Sequence, residues 1–505
     1  MAEQVPVYTA AQLTEMLSGI LHSTDNNERR SIEGTVMRSL TVSANLVQLQ
    51  QELRRLLLAQ LGNEPVRVVR FAIAHIVSRL AKADADHATE DDNAAVWPEL
   101  QQAIRGAAED PRVEMRELSM VLVYSVAEVF YGRSAFSGLA AEAVVYGLAD
   151  SETSVQSAAV KAVMMLLPSL ATDAKVYVPF LQQVVPQCLS ILTQHAAAKD
   201  GGKSTALCVT VLDLMEQLLD DLSVKKNGGV IAAIVNQLLL VLSNPATNPR
   251  VRQNCGTTLA ALVSAKPKFV VSQGLLGPMV QCCVTLMSED ATISLPDEEM
   301  MGDDDDDVGG GEDGEDDDED LDMLHVHPVC RIGVHVLISL ASAVANATFA
   351  SALMPFVSAV VEGKPFPGVQ VEDPLVRKSA ILAMACLAEG NPSYLRRRVG
   401  FVLRVVKLYF ADSHPVVRES AAFALSSFCL HLQPEILTHH AEILPMLVSL
   451  LSDPSDLVRC RAADALDTLC ENLAEDLEPY LSTVLPAVLQ AIGGSSLFTQ
   501  RDCAA

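Results

Sequence analysis

The chain has few aromatic residues and lacks the sequence features of secretion or membrane insertion. Only 4% of its 505 residues are aromatic although half are hydrophobic, so its core must be mainly aliphatic. The start, MAEQVPVYTAAQL, has neither the basic nor the apolar stretch of a signal peptide. The longest apolar stretch, Val230–Leu242, is interrupted by Asn236 and Gln237 and is shorter than the ~20 residues of a membrane helix. These absences favour a soluble protein without membrane insertion.

The cysteines and the polar residues form no catalytic or redox pattern. No C-x-x-C pair occurs among the eleven cysteines, and Cys188, Cys386 and Cys429 fall within apolar helical patterns. Such cysteines are typical of buried, reduced thiols in the cytosol or nucleus. No Ser/His/Asp or Cys/His arrangement follows a strand-turn pattern, so the sequence predicts no enzyme, no cofactor and no metal site.

Basic residues are missing from one segment. Between Glu289 and Asp322 the chain carries 19 of its 63 acidic residues and no Lys or Arg, and the remaining residues have a net charge of only −8. Strong attraction for nucleic acid or an anionic membrane is therefore not expected. Basic proteins are the natural partners.

A repeating pattern fills most of the sequence. Asp412 and Asp453 are each followed five positions later by Val-Arg and then by a helix rich in small residues, and the two aspartates are 41 residues apart. This period lies within the ~40–47 residues of HEAT and armadillo units. Looser copies begin at Glu64, Asp110 and Asp373.

The residue types of the repeat have physical reasons. An Asp before a helix accepts hydrogen bonds from free amide groups, and Pro is tolerated in the first turn. The Arg is expected to reach the capping acid of the next repeat and so to form a ladder along the stack. The pattern predicts an all-α fold: a right-handed α-solenoid, or superhelix, of about ten HEAT repeats whose second helices line the concave surface.

The acidic segment interrupts one repeat. It separates a first helix, GPMVQCCVTLM, from its second helix, PVCRIGVHVLISLASAVA, and such like-charge runs with Gly are expected to be disordered. The predicted organisation is HEAT repeats at 1–288, a disordered acidic loop at 289–327, further repeats at 328–492 and an irregular tail at 493–505. The loop is either a solubilising spacer or an electrostatic attractant for basic ligands. The candidate cargo-binding acids are Asp303, Asp304, Asp305, Asp306, Asp307, Glu312, Asp313, Glu315, Asp316, Asp317, Asp318, Glu319 and Asp320.

Several segments resemble the importin-β (karyopherin-β) family of nuclear transport receptors. AQLTEMLSGILHSTDNNERRSIEGTVMRSL and PVRVVRFAIAHIVSRL are similar to the family's opening repeats, and VWPELQQAI resembles the start of its third repeat. The segment LVRKSAILAMACLAEG, with YFADSHPVVRESAAFALSSFCLHLQPEI and ADALDTLCENL, resembles the branch that holds importin-4 and importin-5. Family members are typically about twice as long, so the resemblance is to their N-terminal half.

The resemblance implies a set of partners. The GTP form of the Ran GTPase is expected on the first repeats, at residues that the sequence leaves unknown. Basic cargo carrying nuclear localisation signals, such as histones or ribosomal proteins, is expected on acidic and amide side chains of later second helices. Phe-Gly nucleoporins are expected in apolar clefts between adjacent first helices. The implied location is the cytoplasm and nucleus, with passage through the nuclear pore.

Asp464, Asp467 and Glu471 recur at helical spacing and share a helix face. Glu471 and Asn472 match the family's ENL pattern, so these four residues, called here the acidic stripe, are the candidate concave cargo site. The structural interpretation is an ordinary solvated face, and Arg396-Arg397-Arg398 is interpreted in that way as well. The alternative function is a HEAT scaffold or chaperone that assembles protein complexes, of the phosphatase-scaffold or basic-protein type.

Overall fold

The computed structural model of the chain describes residues 12, 30–32, 47–87, 97–127, 134–171, 174–290 and 329–494. In this part of the chain the regular structure is helical, apart from one isolated bridge between Phe366 and Val369. The predicted all-α class and its helical repeats are therefore confirmed. The helices form two compact units, Met1–His195 with Lys199–Gln217, and Ala196–Ala198 with Leu218–Ala505.

The first unit consists of helix pairs in which each first helix is followed by a second helix. The second helices α2, α4 and α6 pack one on the next, and the first helices α3, α5 and α7 do the same. The helices are α1 Val47–Asn63, α2 Arg67–His87, α3 Pro98–Ala108, α4 Val113–Val126, α5 Ser134–Leu148, α6 Thr153–Leu170, α7 Ala174–His195 and α8 Lys203–Asp221, whose last turn falls in the second unit.

The second unit repeats this arrangement with a closer layer of second helices, α10, α13, α15, α18 and α20, each packed on the next. The first helices are α9, α12, α14, α17, α19 and α21, while α11 and α16 are short connecting helices. The bounds are α9 Val224–Ser243, α10 Pro249–Ala265, α11 Pro267–Ser272, α12 Leu276–Met287, α13 Val329–Ala343, α14 Asn346–Val361, α15 Pro374–Gly390, α16 Ser393–Arg396, α17 Val399–Phe410, α18 Pro415–His431, α19 His440–Leu450, α20 Asp456–Leu473 and α21 Leu481–Gly494.

The acids before the second helices organise the turns, but only some of them cap a helix directly. Asp373 is the N-cap of α15, and its carboxylate accepts from the Leu375 amide at 2.9 Å. Asp412 lies two residues before the N-cap of α18, which is His414, and its carboxylate accepts from the His414 amide at 2.8 Å. The expected capping of the second helix by an Asp is therefore found at Asp373 but not at Asp412, because a short Asx turn stands between Asp412 and the helix.

The predicted ladder of arginines is confirmed. Arg377 Nε lies 2.7 Å from Asp412 Oδ2, and Arg418 Nε lies 2.7 Å from Asp453 Oδ2, each with a second bond from Nη2 to the other carboxylate oxygen. In the first unit, Arg116 pairs with Asp150 in the same way. Burial raises the pKa of the Asp412 and Asp453 carboxyls, but the bonds from arginine and from backbone amides outweigh it and hold both pKa values below the ordinary 3.8. The pairs are thus charged at neutral pH and join consecutive repeats.

Helix α9 is longer than its apolar stretch suggests. Among the described helices it is the one long and apolar enough to cross a membrane by length and composition. Ile231, Ile234, Val235 and Leu238 on this helix are instead fully buried, and α9 packs against α10 and α12. Its apolar character is accounted for by this repeat core.

Candidate functional site

The thirteen acids of the predicted cargo loop lie outside the residues that the structure describes. The two acids that begin the acidic segment, Glu289 and Asp290, are described, and both are anchored on second helices. Arg252 on α10 donates to Glu289 through Nη1 at 2.8 Å and Nη2 at 2.7 Å. The guanidinium is 4% exposed, and its Nε donates to the Leu242 carbonyl oxygen at 2.9 Å.

Asp290 joins both sides of the insertion. Its Oδ2 accepts from the amide of Cys330, in the first turn of α13, at 3.0 Å. Lys378 on α15 donates from Nζ to the Asp290 carbonyl oxygen at 2.6 Å and lies 3.9 Å from Oδ1. The Lys378 side chain is fully buried. These bonds hold the beginning of the acidic segment beside the layer of second helices.

The acidic stripe is on helix α20, as its spacing predicts, but its members differ in their surroundings. Asp467 and Glu471 are exposed. Asp464 is half-buried and pairs with Arg461, whose Nη1 lies 3.2 Å from Asp464 Oδ2. Two carboxylates of the stripe are thus presented to solvent, and the third is held by a neighbouring base.

Asn472, the fourth member, joins α20 to the segment that follows α18. Its Oδ1 accepts from Gln433 Nε2 at 2.6 Å, while its Nδ2 donates to the Thr468 carbonyl oxygen at 2.6 Å. The Thr468 hydroxyl in turn lies 2.8 Å from that of Ser426. These bonds fix one helix against the other, so the amide of Asn472 has a structural role in this surface.

A buried charge cluster beside the stripe is missing from the sequence interpretation. Glu419 on α18 is 7% exposed, and the positive charges of Arg461 and Lys378 both act on its carboxyl. Burial raises the pKa of the Glu419 carboxyl above its ordinary 4.5, and the two cations oppose that rise. The Arg461 guanidinium also lies 5.4 Å from the ring centroid of Phe423. A sequence signal exists, because Lys378 and Glu419 each follow a ladder arginine and are 41 residues apart.

Two clefts lie beside first helices, one in each unit. The cleft between α1 and α3 encloses about 240 Å³ and has Leu118 and Leu122 of α4 among its lining residues. The cleft between α14 and α16 encloses about 430 Å³ and is more open. It is lined by Ala347, Ala350, Ser351, Met354, Pro355, Ser358 and Tyr394, and is called here the Tyr394 cleft.

The described residues offer no cluster of three His, Cys, Asp or Glu side chains arranged to hold a metal ion. The buried thiols have raised pKa values because burial disfavours the thiolate, as at Cys188, Cys208 and Cys429, where the pKa is about 12. At neutral pH such thiols are protonated and poor nucleophiles.

Comparison with known proteins finds similar repeats in other proteins. A family model described as IPO5-like, TPR repeats matches residues 65–223, and a HEAT-like repeat model matches residues 415–469. Mouse importin-4 is 24% identical over 418 residues, which cover 79% of this chain and 34% of that protein. Human importin-4 is 23% identical over 285 residues, covering 56% of this chain and 24% of that protein.

Solved structures share the fold at low sequence identity. Kap121p bound to RanGTP matches with a TM-score of 0.71 and 20% identity over 99% of this chain and 45% of that one. Kap121p bound to Pho4p matches with a TM-score of 0.74, 20% identity and coverage of 99% and 46%. The chain therefore spans less than half the length of these proteins and about a third of mouse importin-4. Together with the repeat pattern and the ladder, these matches show that the chain is similar to receptors of the importin-β family, and the two relatives in sequence named above are importin-4 proteins.

Proposed function

We propose that this chain acts as a nuclear import receptor, which binds basic cargo and Ran-GTP and moves between cytoplasm and nucleus. The observation that carries the proposal is the sequence match to importin-4 along 79% of the chain. Kap121p, which shares the fold, has been crystallised with RanGTP, with Pho4p and with Nup53p. Its structures supply models for three kinds of partner.

The cargo surface of the proposal combines the acidic stripe with the acidic segment. Asp467 and Glu471 are exposed on the last second helix of the second unit, where a Lys or Arg side chain has access to both. Asp303–Asp320, with thirteen acids, acts at longer range by raising the encounter rate with basic ligands. Such long-range attraction fades as salt shortens the Debye length from ~10 Å at 0.1 M.

Kinetic measurements separate the two contributions. Replacing the acids of Asp303–Asp320 with Ser should slow association with a Lys/Arg-rich peptide at low salt and change it little at high salt. Replacing Asp467 and Glu471 with Ala should mainly speed dissociation at both salt concentrations, because fixed carboxylates act at short range. The exposed pair Asp220 and Asp221, replaced with Ala, is the matched control. Normal association of the Ser variant at low salt would leave the segment as a solubilising spacer.

Ran binding belongs to the first repeats in this proposal. Among the described helices of that region, α2 presents His75, Arg79 and Lys82 on its exposed side. The chain should bind Ran loaded with GTP more tightly than Ran loaded with GDP in a titration of labelled Ran. Equal affinity for the two nucleotide states would favour the alternative function, a HEAT scaffold or chaperone for protein assembly.

The cleft between α1 and α3 and the Tyr394 cleft are the proposed sites for the Phe side chains of Phe-Gly nucleoporins. Each cleft is concave and largely apolar, as pockets for an aromatic side chain are. Ser351 is exposed at the Tyr394 cleft, so Ser351→Trp should fill it without disturbing the core. This variant should lose binding to a Phe-Gly peptide and retain binding to the Lys/Arg-rich peptide.

A further inference from the structure

The Tyr394 cleft has a basic rim, although the chain as a whole carries a net charge of −27. The Arg398 guanidinium carbon lies 3.9 Å from the centroid of the Tyr394 ring, and Arg398 Nη1 donates to the Tyr394 carbonyl oxygen at 3.1 Å. These two contacts place the cation directly beside the cleft. Arg397 and Arg398 are both exposed.

The rim arginines differ from the other bases on the neighbouring helices. Arg396 lies 3.9 Å from Glu435, and Lys407 pairs with Glu442. Neither Arg397 nor Arg398 forms an ion pair with any carboxylate in the described ranges. An exposed arginine, Arg398, without an acidic partner beside an apolar cleft favours a ligand that combines an aromatic side chain with a carboxylate.

We propose that the Tyr394 cleft selects Phe-containing peptide segments that carry an acidic residue two positions from the Phe. The proposal rests on the proposed function, which assigns Phe binding to this cleft. It adds that the cleft distinguishes Phe-containing segments by a neighbouring acidic residue. In an extended peptide, side chains two positions apart point the same way and lie ~7 Å apart. A Phe packed beside Tyr394 thus leaves the acid within reach of Arg398.

The Arg398 guanidinium can contact both partners at once. Its face lies over the Tyr394 ring, while its edge carries N–H groups that bind a carboxylate with two parallel hydrogen bonds. The phenyl ring of the ligand packs against Tyr394 and the thioether of Met354, both favourable partners for an aromatic ring. The chain's own acidic segment is not such a ligand, since residues 289–322 contain no Phe, Tyr or Trp.

Fluorescence anisotropy with three labelled peptides tests the inference. The peptides carry one Phe-Gly pair and differ only in having Asp, Ser or Lys two positions from the Phe on both sides. The full chain is compared with the variants Arg398→Glu and Arg398→Lys and with a control, Lys268→Glu, which reverses an exposed charge elsewhere in the same unit. Circular dichroism establishes that each variant is folded.

The Asp peptide should bind about tenfold more tightly than the Lys peptide at low salt, which corresponds to about 1.4 kcal/mol. The preference should reverse in Arg398→Glu, persist in Arg398→Lys and Lys268→Glu, and shrink at high salt. Equal binding of the three peptides, or an unchanged preference in Arg398→Glu, overturns the inference and leaves Phe-Gly binding intact. If the full chain binds none of the three peptides but still binds Ran-GTP more tightly than Ran-GDP, the assignment of Phe binding to the cleft is overturned and the receptor function is not. Stronger binding of a single-stranded oligonucleotide would overturn the choice of a peptide ligand.

Discussion

At the scale of single residues, each ladder arginine joins two repeats through one planar group. Arg418 binds both carboxylate oxygens of Asp453 in the following repeat, and its Nη1 donates to the Asp412 carbonyl oxygen at 2.9 Å. The Arg418 and Asp453 side chains are 14% and 7% exposed. A bidentate ion pair that is so shielded from water contributes more to folding stability than an ion pair on the surface does.

Arg418→Ala should therefore lower the free energy of unfolding by roughly 1–3 kcal/mol, because it leaves the Asp453 carboxylate without its partner. Arg418→Lys should recover only part of this loss, since an ammonium group cannot reproduce the two parallel bonds. Urea denaturation measures both. Lys364→Ala, which removes the exposed pair with Glu362, is the control and should change nothing measurable. Equal stability of Arg418→Ala and the native chain would mean that the ladder contributes nothing to the stability of the stacked repeats.

Lys378 and Glu419 give the fold a dependence on pH. Folding raises the pKa of the Glu419 carboxyl above 4.5, its value in the unfolded chain, so the ionised carboxylate destabilises the folded chain at neutral pH. This destabilisation decreases as the pH falls and the carboxyl is protonated, and it is absent below pH 4.5. Lys378 limits this effect because its charge opposes the rise in the Glu419 pKa. Lys378→Met should thus destabilise the chain by roughly 1–3 kcal/mol at pH 7 and less near pH 4.

Denaturation of Lys378→Met at the two pH values measures this difference, with the exposed Lys268→Met as the control. The aspartates of the ladder act in the opposite sense. Their lowered pKa values contribute stability above 3.8 that is lost as pH falls further. The comparison therefore belongs at or above pH 4. An equal loss at both pH values would show that Lys378 acts only through its bond to the Asp290 carbonyl oxygen.

At the scale of helices, the second helices pack closely on their neighbours because glycines occupy some of the contacts. A Cβ on Gly333 of α13 would lie 2.7 Å from the Cys283 carbonyl oxygen of α12. A Cβ on Gly256 of α10 would lie 2.3 Å from the Ile332 side chain. Both are closer than side-chain contacts allow, so a larger residue must move a helix.

Gly333→Ala should destabilise the chain by roughly 1–3 kcal/mol, as overpacking in a core does, because the closest atom belongs to the backbone and cannot turn away. Gly277→Ala on α12 is the matched control, since its new Cβ would meet nothing within 4 Å. That change should be neutral or slightly stabilising. Thermal denaturation of the two variants tests the contact, and equal melting temperatures would contradict it.

At the scale of the whole molecule, stability comes from contacts between neighbouring repeats, and the acidic segment interrupts one of them. The bonds that hold this repeat together involve Glu289, Asp290 and Cys330. All three residues lie outside 296–322. Deleting 296–322 should therefore leave the melting temperature within about 2 °C, since surface changes away from packed contacts usually cost little.

The same deletion should make the chain less acidic without removing any described contact of the repeat. Differential scanning calorimetry of the deleted and complete chains, in one buffer and at two salt concentrations, measures the effect. A large drop in melting temperature would assign a structural part to residues 296–322. An unchanged melting temperature with slower association of basic peptides would support the attractant interpretation.

The sequence by itself determined the repeat, the helical class and the ladder. These depend on local and neighbouring interactions, and a period of 41 residues brings Arg418 to Asp453 in any such stack. The spacing of Asp464, Asp467 and Glu471 likewise sufficed to place them along one helix.

Only the tertiary structure decided which of these side chains are available to a partner. Asn472 is used in packing, Asp464 is held by Arg461, and Glu419 is buried and acted on by two cations. The Tyr394 cleft also depends on how the first helix α14 meets the connecting helix α16. Exposure and pairing are properties of contacts between elements, because they depend on which side chains a neighbouring helix brings near, and the periodicity of one helix does not contain that information.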